Sequence, residues 1–463
     1  MNFRQVLRSV VIIFIIVFYG VDASAQLQIS ANKRYLQTAD GKPFFWLGDT
    51  AWELFHRLTR EEAEKYLKNR AEKGFTVIQA VVLAELDGLH DPNPYGETPL
   101  EKDDPTKPRE AYFQHVDFII DKAKELGLHI GLLPTWGDKV FKDRWGVGPE
   151  IFNKDNARVY GKWLGARYKN RTNIIWILGG DRNPRNDNDV TIWRQMAEGI
   201  AEGVGGHDKA LMTFHPQPND LKDGGSARWF HNDAWLDFNM FQTGHCRENN
   251  VWERLQHTYN LNPVKPVLDG ETLYEDHPVC FNAKDLGTSS AYDIRKHAYF
   301  AVFAGGFGHT YGCHDIWQMY APHRRPVNGP HFPWYVAIDL PGAGQMKFLR
   351  QLMESRPMLE RVPDQSIIDS PRGNNDHVQG TRGNDYILVY SAQGNTVKIN
   401  PGKISGSEIV ATWYNPRNGE TKDAGRFSKG QREFTAPTSG YGQDWVLIID
   451  DASKQYTPPG TKL

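Results

Sequence analysis

From Pro43 onward the chain alternates short apolar runs with segments whose apolar residues recur at helical spacing. The runs Phe44–Gly48, Phe75–Leu83, Leu128–Pro134, Asn173–Leu178, Ala210–Phe214, Phe238–Gln242, Pro266–Gly270 and Gly308–Gly312 predict strands. Between and after them, Thr59–Lys73, Ala111–Leu126, Ala157–Tyr168, Val190–Glu202, Val251–Tyr259, Ala291–Phe303 and Gln345–Ser355 predict helices. A weaker helical stretch surrounds Ala227–Asp237. Thr59-Arg60-Glu61-Glu62 has the form of a capping box. Gly74, Gly127 and Gly203 stand at expected helix ends, where a left-handed residue closes the last turn. Strands that are apolar throughout need cover on both faces, so their sheet is parallel and lies within a layer of helices. Eight such units predict a (β/α)8 TIM barrel. An open doubly wound sheet would carry a glycine-rich phosphate turn after its first strand. Gly48-Asp49-Thr50-Ala51-Trp52 is no such turn, and no cofactor is expected.

Beyond Arg361 the pattern shifts to short β-like runs at Tyr386–Tyr390, Thr396–Ile399, Ile409–Trp413, Arg432–Thr435 and Trp445–Ile449. Turn sequences such as Asn415-Pro416-Arg417-Asn418-Gly419 separate them. They predict a small C-terminal antiparallel β-sandwich. At the other end, Arg4 and Arg8 precede an apolar run from Val10 to Tyr19, and Ala23-Ser24-Ala25 offers a small-residue cleavage site. That run is too short for a bilayer span, which takes about 20 apolar residues. The expected layout is a signal peptide at 1–25, a barrel domain at 26–361, and a sandwich with a tail at 362–463. The product is expected to be exported, periplasmic or extracellular, with no membrane anchor after cleavage.

Composition narrows the partners. The 54 Lys and Arg against 56 Asp and Glu leave no basic surplus for a phosphate backbone, so nucleic acid is not expected as a partner. The 14 Trp, 19 Tyr and 23 Phe suit a large core, and also a cleft that stacks on sugar rings. Three cysteines, Cys246, Cys280 and Cys313, allow at most one disulfide within the chain. They lack the paired CxxC spacing of structural zinc and read mainly as small buried residues; no metal is expected.

The connections are unequal. Ala84–Arg109, Pro216–Arg228, Tyr274–Ser290 and Trp317–Gly344 are long, and each follows a strand and precedes a helix. In a barrel such loops gather at the C-terminal face, where barrel enzymes place their chemistry. Polar groups stand at the strand ends in order: Asp49, Glu85, Trp136 with Asp138, Asp181, His215, Gln242 with His245, and Glu271. The eighth offers His309, Tyr311, His314 and Asp315. Two carboxylates stand apart. Ile174–Leu178 runs through Gly179 and Gly180 into Asp181, and Val267-Leu268-Asp269-Gly270-Glu271 repeats the theme 90 residues later. Strands four and seven face each other across a barrel mouth, so the two groups could flank one substrate bond. Glycosidic cleavage uses such a pair, one group protonating the leaving oxygen and the other attacking or stabilising the oxocarbenium-like centre. Either could instead cap a helix or pair with Arg182 or Arg185. Asp269, expected one layer deeper on the same strand face, is the fallback nucleophile. Trp52, Trp136, Trp317 and Tyr311 are candidate sugar platforms. Asp49, Asn183, His215, Gln242, His245 and His309 are candidate partners for hydroxyls.

The stretch Gly41-Lys42-Pro43-Phe44-Phe45-Trp46-Leu47-Gly48-Asp49-Thr50-Ala51-Trp52 resembles the apiosidase-like glycoside hydrolases of family 140. So does Trp176-Ile177-Leu178-Gly179-Gly180-Asp181-Arg182-Asn183-Pro184. The likeness covers nearly the whole mature chain, including a collagen-binding-type β domain at the C-terminus. It implies a (β/α)8 barrel with its acid/base after strand four and its nucleophile after strand seven. By that resemblance Asp181 is the acid/base and Glu271 the nucleophile of a retaining hydrolase. The implied substrate is a β-linked apiosyl residue in side chains of the pectin rhamnogalacturonan II. An Asp after strand four departs from the Glu commonest in the wider clan. Two other readings stay open: a barrel glycosidase of another specificity, and a non-catalytic carbohydrate-binding protein that keeps the cleft without needing the carboxylate pair. A metal-dependent amidohydrolase would want paired His after strand one, where Gly48-Asp49-Thr50 stands. No GxSxG follows a strand, against a serine hydrolase. In the C-terminal domain, Trp413, Tyr414, Tyr441 and Trp445 could present a sugar-binding surface or pack the sandwich against the barrel.

Overall fold

A computed structural model describes residues 26–218, 224–369 and 376–461; the expected signal peptide lies outside them. Three short antiparallel strands, Leu27–Ile29, Leu36–Thr38 and Pro43–Phe44, open the described chain. They were not expected from the pattern, being two or three residues long. Eight parallel-type strands follow: β1 (Trp46–Thr50), β2 (Val77–Leu83), β3 (His129–Thr135) and β4 (Ile174–Gly179). The second half is β5 (Met212–His215), β6 (Asn239–Gln242), β7 (Val267–Glu271) and β8 (Gly308–Tyr311). Six of them form one curled parallel sheet in the order β5-β4-β3-β2-β1-β8, while β6 and β7 make a separate parallel pair. The ladder is therefore continuous over six strands rather than the eight of the expected barrel. Its interruptions fall where strands are shortest: β5, β6 and β8 have four residues each.

Alternation along the strands sorts side chains into two layers. Trp46, Val77, Val81, Ile175, Ile177, Met240 and Leu268 pack together inside the curl, with Leu27, Tyr35 and Leu36 of the opening strands. Leu47, Ile78, Ala80, Leu132, Trp176, Phe214 and Val267 pack outward against the helices. Those helices are α1 (Arg60–Glu72), α2 (Glu110–Glu125), α3 (Lys154–Tyr168) and α4 (Asp187–Val204). They continue with α5 (Val251–Tyr259), α6 (Ala291–Phe303) and α7 (Pro341–Glu354). After β5, among the described residues, a single turn at Ala227–Phe230 stands where a weak helix was expected. The capping box is present: the Thr59 side chain accepts from the Glu62 N–H and the Glu62 carboxylate returns the contact. Gly74 and Gly127 follow α1 and α2 with φ of 81° and 74°. Gly203 is not a helix end; the cap of α4 is Gly205, at φ 99°. Gly203 lies against α3, where a Cβ would sit 2.4 Å from the Lys162 carbonyl oxygen. Its role is close helix packing.

The C-terminal region is an antiparallel β domain. Its strands are β9 (Val362–Pro363), β10 (Val378–Arg382), β11 (Tyr386–Ser391), β12 (Val397–Ile399), β13 (Glu408–Tyr414), β14 (Thr421–Ser428), β15 (Arg432–Phe434) and β16 (Trp445–Asp451). Six form a sheet in the order β9-β10-β11-β16-β13-β14, and β12 pairs with β15. Ile387, Val389, Leu447 and Ile449 face the domain's own core, while Tyr386, Leu388, Tyr390, Val446 and Ile448 join the helix layer of the parallel sheet. The central strands of the six-stranded sheet are thus buried on both faces. That settles the fate of most of the expected aromatic surface: Trp413, Tyr414 and Trp445 are buried packing residues, and Tyr441 alone of the four is exposed. Arg295 of α6 binds Asp444 through two contacts of 3.0 and 2.8 Å, and Arg356 binds Asp450 at 2.9 and 2.6 Å.

Candidate active site

The end of β4 is shaped by glycine. Gly179, Gly180 and Asp181 take φ of 88°, 115° and 49° in succession, a left-handed path that β-carbons resist. A Cβ on Gly179 would lie 2.3 Å from the His215 carbonyl oxygen, and one on Gly180 would lie 2.7 Å from the Trp136 ring. The turn is held between β5 and the end of β3: Gly180 N donates to His215 O at 2.9 Å, and Gly137 N donates to Gly180 O at 3.0 Å. Asp181, a non-glycine residue in this region, is kept there by its surroundings. Its Oδ2 accepts from Trp145 Nε1 at 3.1 Å and from Arg182 Nη1 at 3.2 Å.

Glu271 ends β7 beside a bulge. Phe241 pairs with Asp269 and Gln242 with Glu271, leaving Gly270 as the extra residue. Glu271 Oε2 lies 3.1 Å from His215 Nε2, and its Oε1 lies 3.3 Å from His245 Nε2. On the far side of the same imidazole, Asp181 N donates to His215 Nδ1 at 3.4 Å. With Nδ1 accepting from Asp181, Nε2 is the ring nitrogen on the Glu271 side. One ring thus joins the two residues the sequence singled out.

The two carboxyls are pulled in opposite directions. Burial, reinforced by the Glu271 charge, pushes Asp181 up to about 6. Burial also opposes ionisation of Glu271, but hydrogen bonds and charge from His215 and His245 outweigh it and hold the carboxyl well below its usual range. Glu85, at the end of β2, is raised well above the carboxylate range by burial and by the charges of Asp181 and Asp138. The aromatic wall is close by: Trp52 packs against Trp136 at 5.1 Å and meets His215 edge-on at 5.4 Å. His245 is wedged between His277, at 4.2 Å, and Tyr274, at 4.6 Å. Trp317 donates from Nε1 to His314 Nδ1 at 3.3 Å. Gln242, paired in register with Glu271, keeps a buried Oε1 with no hydrogen-bond partner.

Other expected positions lie elsewhere. Asp49 is fully buried toward α1, its Oδ2 accepting from Tyr66 Oη and Arg70 Nε, both at 2.5 Å. Tyr311 points to the same outer layer and donates to Glu275 Oε2 at 2.6 Å. His309 is fully buried, and burial lowers it to about 3. Asn183 ties two loops by accepting from Gln217 N at 3.1 Å. Strand parity explains three of these: Gly48 and Thr310 approach the inner Trp46, so Asp49, His309 and Tyr311 face out. Asp269 does not lie beneath Glu271. The bulge breaks the alternation, and Asp269 pairs with the outward Phe241 while Thr243 Oγ1 donates to its Oδ2 at 2.7 Å. Trp145, Tyr274 and His277 were not singled out from the sequence. Trp145 sits in an irregular loop with no periodicity to mark it. Cys246 and Cys280 form a disulfide between the loops after β6 and β7, whereas Cys313 is a buried free thiol. The reading of the cysteines as simple buried residues holds for Cys313 alone.

Against known families, the description "Apiosidase-like, catalytic domain" matches residues 30–360. The chain belongs to the apiosidase-like glycoside hydrolases. It is a glycosidase. A second description, "Putative collagen-binding domain of a collagenase", matches residues 362–450. Among solved structures, one titled a glycoside hydrolase shares 39% identity, with 94% of this chain and 98% of that chain covered and a TM-score of 0.85. A glycoside hydrolase family 5 protein from Bacteroides vulgatus shares 37% identity over 95% of this chain and 96% of its own, with a TM-score of 0.86. The curated proteins include no match. The α/β glycoside hydrolase fold, with a curled parallel sheet and a C-terminal antiparallel domain, is common ground with these relatives. No described helix of this apiosidase-like chain is long and apolar enough to cross a membrane.

Proposed function

We propose that this glycosidase is a retaining β-apiosidase that cleaves apiosyl linkages in rhamnogalacturonan II side chains. Asp181 is its acid/base and Glu271 its nucleophile. The observation that carries the reading is the opposite polarisation of two carboxyls whose residues meet on either side of His215, Glu271 through its carboxylate and Asp181 through its backbone N–H. Splitting two titrating groups apart in this way separates an acid from a nucleophile. In the first step Asp181 protonates the leaving oxygen as Glu271 attacks the anomeric carbon. In the second, Asp181 takes a proton from the water that releases the glycosyl-enzyme. Trp52, Trp136 and Trp317 wall the sugar site, and Gln242 Oε1 accepts from a sugar hydroxyl.

The eight strands act in this reading as one closed barrel. Supporting contacts cross both interruptions of the ladder: Thr213 Oγ1 donates to Phe238 O at 2.7 Å, and Phe307 N to Val267 O at 3.1 Å. Gln79 Nε2 reaches across the interior to Gly270 O at 2.8 Å. Residues 26–361 are assigned as the catalytic unit and 362–463 as the accessory domain and tail, in an exported protein whose partner is a plant oligo- or polysaccharide.

The test is the anomer first released from a β-apioside, read by NMR, together with leaving-group dependence. Retention of configuration is expected, with the carboxyl groups about 5–5.5 Å apart; inversion, with about 6.5–9.5 Å, defeats the double displacement. Asp181→Ala should slow poor leaving groups far more than good ones. Equal loss on both defeats the acid/base role.

A further inference from the structure

Beside the proposed acid stands an aromatic ring of unusual exposure. Trp145 is 51% exposed, while every other described tryptophan is buried or partly covered. Its indole N–H donates to Asp181 Oδ2 at 3.1 Å, so the ring is fixed beside that carboxyl. One ring face is covered: the Arg182 guanidinium stacks over it at 4.8 Å and is itself buried. The other face has no ring or cation stacked on it among the described residues.

The loop that presents this ring is anchored. Asp138, fully buried, accepts through Oδ2 from Val147 N at 3.0 Å and from Gly148 N at 2.9 Å. Its Oδ1 pairs with Lys139 Nζ at 2.7 Å, and Lys139 Nζ reaches Ala84 O at 3.0 Å. Arg182 also donates to Lys142 O at 3.3 Å, closing the loop from beneath. A Cβ on Gly146 would lie 2.0 Å from Lys142 O, so the loop passes close over its own start. A pinned backbone carrying an open aromatic face is preorganised to receive a ligand.

We infer that Trp145 is the stacking platform of the leaving-group subsite: its open face holds the saccharide released on cleavage, while its N–H on Oδ2 fixes the position of the Asp181 carboxyl. The occupant is a pyranose presenting a C–H face. This rests on the assignment of Asp181 as the acid. It makes Trp145 a specificity-determining residue that favours saccharide over small aromatic leaving groups. The indole and Arg182 donate to the same carboxylate oxygen, and together they hold the acid in one rotamer.

Three measurements test the inference with apiosylated oligosaccharides from rhamnogalacturonan II and with 4-nitrophenyl β-apioside. Trp145→Ala should lower kcat/KM on the oligosaccharide at least about tenfold, mainly through KM, and on the nitrophenyl glycoside no more than about threefold. Trp145→Phe keeps the face and loses the donor; it should hold KM near the parent value while moving the alkaline limb of the pH profile upward. Equal losses on both substrates, or an unchanged KM in Trp145→Ala, overturn the platform. Oxidation of the resting protein by N-bromosuccinimide gives a readout independent of turnover. The oligosaccharides should shield Trp145. Shielding without hydrolysis keeps the platform and overturns the apiosidase reading. Hydrolysis with Trp145 oxidised as fast as in free enzyme overturns the platform alone, and absence of both overturns both.

Discussion

Charge is buried in two regions of this glycosidase, under opposite rules. Where α6 and the segment after α7 meet the C-terminal sheet, each buried carboxylate faces its own arginine through two contacts, Asp444 with Arg295 and Asp450 with Arg356. At the mouth of the curled sheet, Asp181, Glu271 and Glu85 crowd together with Arg182 as the cation on Asp181 and two imidazoles on Glu271. Paired charges fix how two units sit together, and taking one partner away strands the other. Incompletely compensated charges leave protonation states divided between the groups, which stability alone would not select. The first region holds the molecule together; the second sets neighbouring acids to different protonation states.

The contrast is broken most sharply by removing Glu271. Glu271→Ala should lower kcat per folded molecule by about 10⁴-fold or more, with some loss of stability at neutral pH because the fold holds this carboxyl ionised; a kcat near that of the parent would place Glu271 among the structural charges. At the interface the reverse is expected. Asp444→Ala leaves Arg295 without its carboxylate and should cost about 3–5 kcal/mol in denaturant unfolding, with activity per folded molecule retained.

A smaller effect separates the regions by pH. Asp181 is raised from 3.8 to about 6, so its ionisation weighs against the folded state. The contribution from its bound proton is complete below pH 3.8 and is lost as pH rises through about 6. Asp181→Asn should therefore stabilise the protein by about 3 kcal/mol at pH 7.5 and by nothing at pH 3.5. The same value sets the alkaline limb of kcat/KM, which should fall above pH 6, whereas the acid limb lies well below the usual carboxylate range because Glu271 is held ionised. The smallest expected change is His245→Ala. It removes one of the two imidazoles on Glu271 and should move the acid limb upward by about one pH unit. A limb that does not move would assign the low value of Glu271 to His215 alone.

Much of the scaffold was legible because it rests on local rules. The helix Ala291–Phe303 lies where its period predicts, and Thr59 caps α1 as its spacing to Glu62 requires. The Asp181 and Glu271 pair was legible for a related reason, since both end apolar strands three repeats apart. Asp49, His309 and Tyr311 misled because a strand-end position does not say which way a side chain points. Counting alternation from Trp46 would have turned them outward. Strand β14 was invisible: Thr421–Ser428 is polar and mostly exposed, at the edge of its sheet. The bulge at Gly270 was equally hidden, and it breaks the alternation that would set Asp269 and Glu271 on one face.

By itself, then, the order of residues determined the alternating strands and helices, their caps, and which two acids close the fourth and seventh strands, because each depends on neighbours within a few positions. Only the folded chain decided that His215 lies between those acids, that the Trp145 loop curls over Asp181, and that Cys246 meets Cys280. These contacts join segments tens of residues apart, and desolvation and Coulomb coupling, which set the acids' protonation, act through space and leave no trace in sequence spacing.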